Sequence, residues 1–194
     1  MKNVRVLDCT LRDGGRIINC AFSDQEAKEI SQRLADAKID IIEIGFLRDW
    51  RKVAYKGNST FFTDVDQMRA FVNKSRKNTL YTAFIDFGMC DIDSLKPYDG
   101  TSIDAIRFGF TKKNYAEQKD EVIRWIEVIK ERGYKLFIQG VNSLNYSDRE
   151  LLEIVDMVNS VHPYSFGIVD TYGAMYMDDV DRLYGLIDHN MDSD

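Results

Sequence analysis

A chain of 194 residues, 44% hydrophobic and 30% charged, is long enough to bury one sizeable core. No apolar run approaches the roughly 18 to 20 residues of a membrane span, and Met1-Lys2-Asn3 leaves no room for a signal peptide ahead of the first strand. A net charge of −6 and three scattered cysteines, Cys9, Cys20 and Cys90, argue against a nucleic-acid surface and a disulfide framework, and for reduced thiols in a cytoplasmic protein.

The first strand is expected over 4–8. It runs into Asp8-Cys9-Thr10-Leu11-Arg12-Asp13-Gly14-Gly15, three charged groups and two glycines at a strand end. Asp-Gly-Gly alone would read as a tight turn. Ser23-Asp24-Gln25-Glu26 is a capping box opening a helix with Ala27, Ile30, Leu34 and Ala37 on one stripe. A second strand, 40–46, carries Glu43 among aliphatics, where a lone carboxylate is costly unless paired. Thr63-Asp64-Val65-Asp66 marks a weaker helix start. Strands follow at 79–85, with Asp86 next, and at 103–110, with Arg107 embedded.

A helix is expected from about 115 to 132, ended by Gly133. The fifth strand, 134–141, offers Gln139. Ser147-Asp148-Arg149-Glu150 caps the next helix, ahead of Leu151, Ile154, Val155 and Val158. The sixth strand, 164–170, places Asp170 and Thr171 at its carboxyl end, and a last helix is expected over about 177–190. His162 and His189 form no metal-ligand pair and read as structural.

Nearly continuous apolarity in these strands suits burial on both faces, as in a parallel sheet. No G-x-G-x-x-G follows the first strand, and polar groups sit at several strand ends. Together these favour a parallel (β/α)₈ TIM-type barrel over a doubly wound sheet. Six βα units are expected, the N-terminal three-quarters of a single barrel domain over 1–194. In a barrel, Arg12, Asp13, Glu43, Arg107, Gln139 and Asp170 would converge on one mouth. Glu43 and Arg107 could equally form a structural ion pair, and Asp170 could cap the following turn. A ring of carboxylates and arginines suits a hard divalent cation and an anionic, oxygen-rich substrate. No strand-end lysine offers Schiff-base chemistry, and the two histidines offer no Ser-His or Cys-His pairing, which leaves metal-assisted chemistry.

Asp8-x-Thr10-Leu11-Arg12-Asp13-Gly14 resembles the opening signature of the HMG-CoA lyase-like metal-dependent barrels. Ile42-Glu43-Ile44-Gly45 is similar to that family's second-strand motif. Val169-Asp170-Thr171-Tyr172-Gly173-Ala174-Met175 is similar to its sixth-strand motif, closest to the 4-hydroxy-2-oxovalerate aldolase branch. The resemblance implies that Asp13 ligates Mn²⁺ or Mg²⁺ and that Arg12 stabilises a pyruvate-like enolate. Glu43 would support Arg12, and Asp170 and Thr171 would line the substrate-carboxylate pocket; Arg107 and Gln139, from their placement at the same mouth, are expected to bind substrate. The implied reaction joins or splits a 2-oxo acid and an aldehyde, in a homo-oligomer without nucleic-acid or membrane partners. Two alternatives stand beside it, a Claisen-type acyl-CoA synthase and a non-catalytic barrel kept as an assembly partner. Where the aldolase branch has a histidine three residues after the aspartate, this chain has Arg16; where the synthases have Glu-Gln, it has Gly15-Arg16.

Overall fold

The computed structural model describes residues 4–49, 51 and 60–192. Seven strands form one parallel sheet: β1 (Leu7–Asp8), β2 (Ile41–Leu47), β3 (Phe61–Phe62), β4 (Leu80–Asp86), β5 (Ala105–Thr111), β6 (Lys135–Val141) and β7 (Ser165–Ile168). Six of them lie in the order β1-β2-β4-β5-β6-β7, and β3 pairs with β2 beyond the reach of β1. The sheet is therefore open, with β1 and β7 at its margins: a half-barrel of six parallel strands, as expected of part of a TIM-type barrel.

The connections are less regular than the alternation in sequence implies. Four α-helices occur among the described residues: α1 (Asp24–Asp36), α2 (Lys112–Glu131), α3 (Asp148–Val161) and α4 (Met177–Asn190). The start expected at Thr63 opens a 3₁₀ segment, Val65–Phe71, capped by Asp64. Between β4 and β5 only the short 3₁₀ turn Ile92–Ser94 forms, in a stretch broken by Gly88, Pro97 and Gly100. Two of the six expected units thus lack an α-helix among the described residues. The capping boxes at Ser23 and Ser147 form as read, each serine accepting from the N3 amide while the N3 glutamate accepts from the serine amide. A third box, Thr111 with Asn114, starts α2 three residues before the expected position.

The two faces of the sheet have different jobs. Ile42, Ile44, Tyr81, Ala83, Ile85, Ile106, Phe108, Phe110, Leu136 and Ile138 point outward and join the main core under the helices. Trp125 of α2 stacks on Phe108 with ring centroids 5.7 Å apart. Burying side chains of this size contributes roughly 1.5–3 kcal/mol each. The inner face is layered. Leu7, Ile41, Leu80, Ala105 and Phe137 form an apolar floor at the amino ends of the strands. There Arg5 donates to the Tyr164 hydroxyl, drawing the beginnings of the first and last strands together.

Candidate active site

Above the floor the inner face turns polar. Glu43 on β2, Arg107 on β5 and Gln139 on β6 stand at neighbouring heights, since Glu43 pairs with Thr82, Phe84 with Arg107, and Gly109 with Gln139 across the ladder. Glu43 is fully buried and accepts from two guanidiniums, Arg12 on one oxygen and Arg107 on the other. Glu43 is thus the ion partner of Arg107 and of Arg12 together. Arg107 also donates to Gln139 Oε1 at 3.2 Å, while its Nε is buried without a partner.

Arg12 reaches this layer because the chain leaves the sheet after Asp8. The Cys9 carbonyl accepts from the amides of Arg12, Asp13 and Gly14, a tight turn that aims Arg12 back into the barrel. There Arg12 is 9% exposed. Its guanidinium carbon lies 4.6 Å from the Phe84 ring centre, and Nη1 donates to Asp13 at 2.8 Å. Burial works against its charge, yet Glu43 outweighs it and the guanidinium is held above its ordinary pKa. Cys9 Sγ lies 3.4 Å from Arg107 Nη1 and 3.7 Å from Arg12 Nη2. Burial, and then Glu43, push that thiol up to about 11 against the pull of the two arginines. It is a protonated thiol at neutral pH.

The next layer up is aromatic, built by a β-bulge. Between Glu43 and Phe46 the register of β2 against β4 slips by one residue, and Gly45 is the extra one. A Cβ on Gly45 would overlap the Thr60 carbonyl oxygen, which accepts from the Phe46 amide at 2.9 Å and anchors β3. Phe46 and Phe84 pack edge to face with centroids 6.1 Å apart. Gly109 makes room for them, since a Cβ there would stand 2.5 Å from Phe84 Cζ. On this shelf lie two further guanidiniums. Arg48 sits 4.0 Å from the Phe46 centre and pairs with Asp86; Arg16 sits 5.2 Å from the same ring and donates to Asp13 at 3.0 Å.

The remaining residues named from the sequence lie apart. β7 ends at Ile168, short of Asp170, so Asp170 and Thr171 belong to the loop that follows. The Asp170 carboxylate accepts from the amides of Ala174 and Met175, at 2.8 and 3.0 Å, and those bonds hold its pKa low. Thr171 accepts from the Asn142 amide. No hydrogen bond or ion pair among the described residues joins either to Arg12 or Glu43. Arg16, Arg48, Cys9, Phe46 and Phe84 were not read from sequence as part of the site. The signals were the first charge after an apolar strand, for Arg48, and the in-strand Gly45 that marks a bulge.

Asp13, the metal ligand implied by resemblance, is half exposed and gives Oδ1 to both Arg12 and Arg16. Among the described residues no group of three or more His, Cys, Asp or Glu side chains could hold a metal ion. One carboxylate shared with two guanidiniums is not a donor set for a divalent cation. What these residues can do by themselves is bind and stabilise negative charge on oxygen.

Six parallel strands in an open curl, with charged side chains gathered on their inner face, define part of a TIM-type barrel. The chain belongs to the HMGL-like family, whose profile matches residues 3–193. It is 24% identical over 184 residues to the mitochondrial homocitrate synthase of Saccharomyces cerevisiae, a match covering 90% of this chain and 38% of that protein. It is 25% identical over 181 residues to a protein described as a probable 2-isopropylmalate synthase of Methanosarcina acetivorans, covering 90% of this chain and 33% of that one. The chain thus spans between a third and two fifths of these curated relatives. In fold it is similar to the N-terminal domain of a candidate aldolase from Bacteroides vulgatus, with TM-score 0.72, 19% identity, and 97% of this chain and 62% of that one covered. The HMG-CoA lyase of Brucella melitensis gives TM-score 0.67 at 12% identity, covering 96% and 68%. The family context is enzymatic, among synthases and lyases.

Proposed function

We propose that this chain carries the enolate-stabilising half of an aldolase or lyase that makes or breaks a C–C bond next to a 2-oxo acid carbonyl. The observation that carries the reading is Arg12, a buried guanidinium fixed by Glu43, Asp13 and the Phe84 face at the mouth of the half-barrel. When a proton or a carbon substituent leaves the carbon beside a ketone, the electron pair settles on the ketone oxygen. A donor already aimed at that oxygen stabilises the developing charge without reorganising, and a guanidinium keeps its proton throughout. Arg107 and Gln139 stand beside Arg12 and would hold the substrate carboxylate, supplying the anion that the unpartnered Arg107 Nε lacks. Asp170 and Thr171 would border the substrate from the loop after β7, and an aldehyde would be the second partner.

The family resemblance implies Mn²⁺ or Mg²⁺. The described residues contribute at most Asp13 toward such an ion, and the roles given to Arg12, Arg107 and Gln139 do not depend on it. No helix among the described residues is long and apolar enough to cross a membrane, and none of the three cysteines is in a disulfide. A cytoplasmic homo-oligomer is the form proposed. A second reading, a Claisen-type synthase, is favoured by the curated relatives, which are themselves synthases.

The test is exchange of the pyruvate methyl hydrogens in D₂O by the protein containing this chain, followed by NMR with Mn²⁺ present. Exchange should occur without any aldehyde. Arg12→Ala should slow it about 100- to 1,000-fold, as for loss of one oxyanion donor. Exchange that survives Arg12→Ala unchanged would overturn the assignment. Release of free CoA from an acyl-CoA and a 2-oxo acid would favour the synthase reading instead.

A further inference from the structure

Three guanidiniums crowd one aromatic ring. The carbons of Arg48, Arg16 and Arg12 lie 4.0, 5.2 and 5.7 Å from the centre of Phe46, so no two are further apart than the sum of their distances to it. Arg107 joins them over the adjoining Phe84, at 5.7 Å. The carboxylates paired with these four cations are Glu43, Asp13 and Asp86. Four positive charges face three negative ones, and Asp13 divides one oxygen between Arg12 and Arg16.

Like charges gathered on an apolar shelf are costly, and the hydrogen-bond count shows where the deficit lies. Arg48 Nε and Arg107 Nε are both buried and unpartnered. A buried donor left unmade is unfavourable, more so on a charged group. Arg107 lies in the layer of Glu43, where one substrate carboxylate is already proposed to bind. Arg48 lies a layer higher, directly after β2 and beyond the bulge, and shares the Phe46 ring with Arg16. Arg48 is mostly buried, with its side chain 12% exposed, whereas Arg16 is half exposed and open to a ligand entering from the mouth.

We infer that Arg16 and Arg48, both over the Phe46 ring and above the Arg12–Glu43–Arg107 layer, recognise a second anionic group on the ligand, so that the preferred ligand is a small dianionic acid. This rests on the 2-oxo acid reading for its first anchor only. The second anchor is a carboxylate or a phosphate, both of which suit a guanidinium pair. It sets specificity rather than chemistry: neither Arg16 nor Arg48 is needed at the enolate oxygen.

The experiment is calorimetric titration of the protein containing this chain with four probes. 2-Oxovalerate and 2-oxoglutarate share a five-carbon chain and differ in the second carboxylate; phosphonopyruvate carries a phosphonate instead; glutarate lacks the ketone. At least one of 2-oxoglutarate and phosphonopyruvate should bind tenfold or more tightly than 2-oxovalerate, a difference of about 1.4 kcal/mol, and the better of the two names the second group. Arg16→Ala, a half-exposed position whose loss leaves the interior untouched, should cut that ratio below threefold, and Arg48→Gln should act in the same direction. Equal binding of 2-oxovalerate and both dianions, or a ratio that survives Arg16→Ala, would overturn the proposal. If glutarate binds as tightly as 2-oxoglutarate and loses affinity in Arg16→Ala, the second anchor stands and the 2-oxo acid reading is what fails.

Discussion

Replacing Glu43 by glutamine removes one negative charge and almost no volume from the centre of the site. Glu43 has no exposed surface and accepts from two guanidiniums. The consequences for those two differ. Arg12 keeps Asp13 at 2.8 Å; Arg107 loses the one carboxylate it pairs with among the described residues and retains the neutral Gln139 at 3.2 Å. Removing one partner of a buried ion pair typically costs about 3–5 kcal/mol, because the surviving charge is left uncompensated. Asp13 shelters Arg12, so the lower end is expected here, about 3 kcal/mol. For a chain of this length each kcal/mol moves the melting temperature by roughly 2–4 °C, so Glu43→Gln should melt about 6–12 °C lower. A total stability of about 5–15 kcal/mol leaves the variant folded and measurable by chemical denaturation. Glu43→Gln with Arg107→Gln should be less destabilised than the two single losses added together, with a coupling of at least about 1 kcal/mol. A loss below about 1 kcal/mol for Glu43→Gln would mean that the guanidiniums do not depend on it, and the argument that Arg12 is held rigid would fall.

Three further expectations concern single positions. Gly45→Ala, through its overlap with the Thr60 carbonyl and its backbone φ of +154°, should cost about 2–5 kcal/mol and release the Phe46 amide to hydrogen exchange. Gly185→Ala, in α4 with open space around it, should instead stabilise by about 0.5–1 kcal/mol. Cys9 titrates near 11 when folded against 9.0 ordinarily. The folded state therefore holds the proton more tightly, and this contribution to stability is present below pH 9 and lost as pH rises toward 11. Peptide-resolved iodoacetamide labelling should find Cys9 slow at pH 8 and fast near pH 11; labelling at pH 8 as fast as in urea would contradict the packing of the thiol.

The strands were legible because each is a compact apolar run, and their ends because polar residues interrupt that apolarity. Burial forces such residues to find partners, so Glu43 and Arg107, conspicuous among aliphatics, could be placed in the interior from sequence alone. Arg48 could not, because it follows the strand and its inward direction depends on the one-residue slip at Gly45. The end of the last strand was misplaced for the opposite reason. The run Phe166-Gly167-Ile168-Val169 suggests a strand reaching Asp170, yet the ladder to β6 stops at Ile168, and the carboxylate satisfies its own loop. Alternation predicts a helix after each strand, but among the described residues a stretch rich in Gly, Pro and Asp closes the gap between β4 and β5 with one short turn.

The division of the β2 edge between two partners has a consequence for the margins of the sheet. β1 pairs with β2 only at Leu7 and Asp8, and β3 takes over at Phe46 and Leu47. The opening segment is thereby released from the ladder just where it must curl across the mouth. It also leaves the half-barrel with very short free margins: two residues on β1 and four on β7. An unpaired strand edge invites another strand to add to it, and brevity is one of the ways proteins discourage this. Two or four backbone groups make a poor template, so an open sheet of this kind resists indiscriminate strand addition. Any strand that does continue the wall must be chosen by its side chains rather than by the backbone alone.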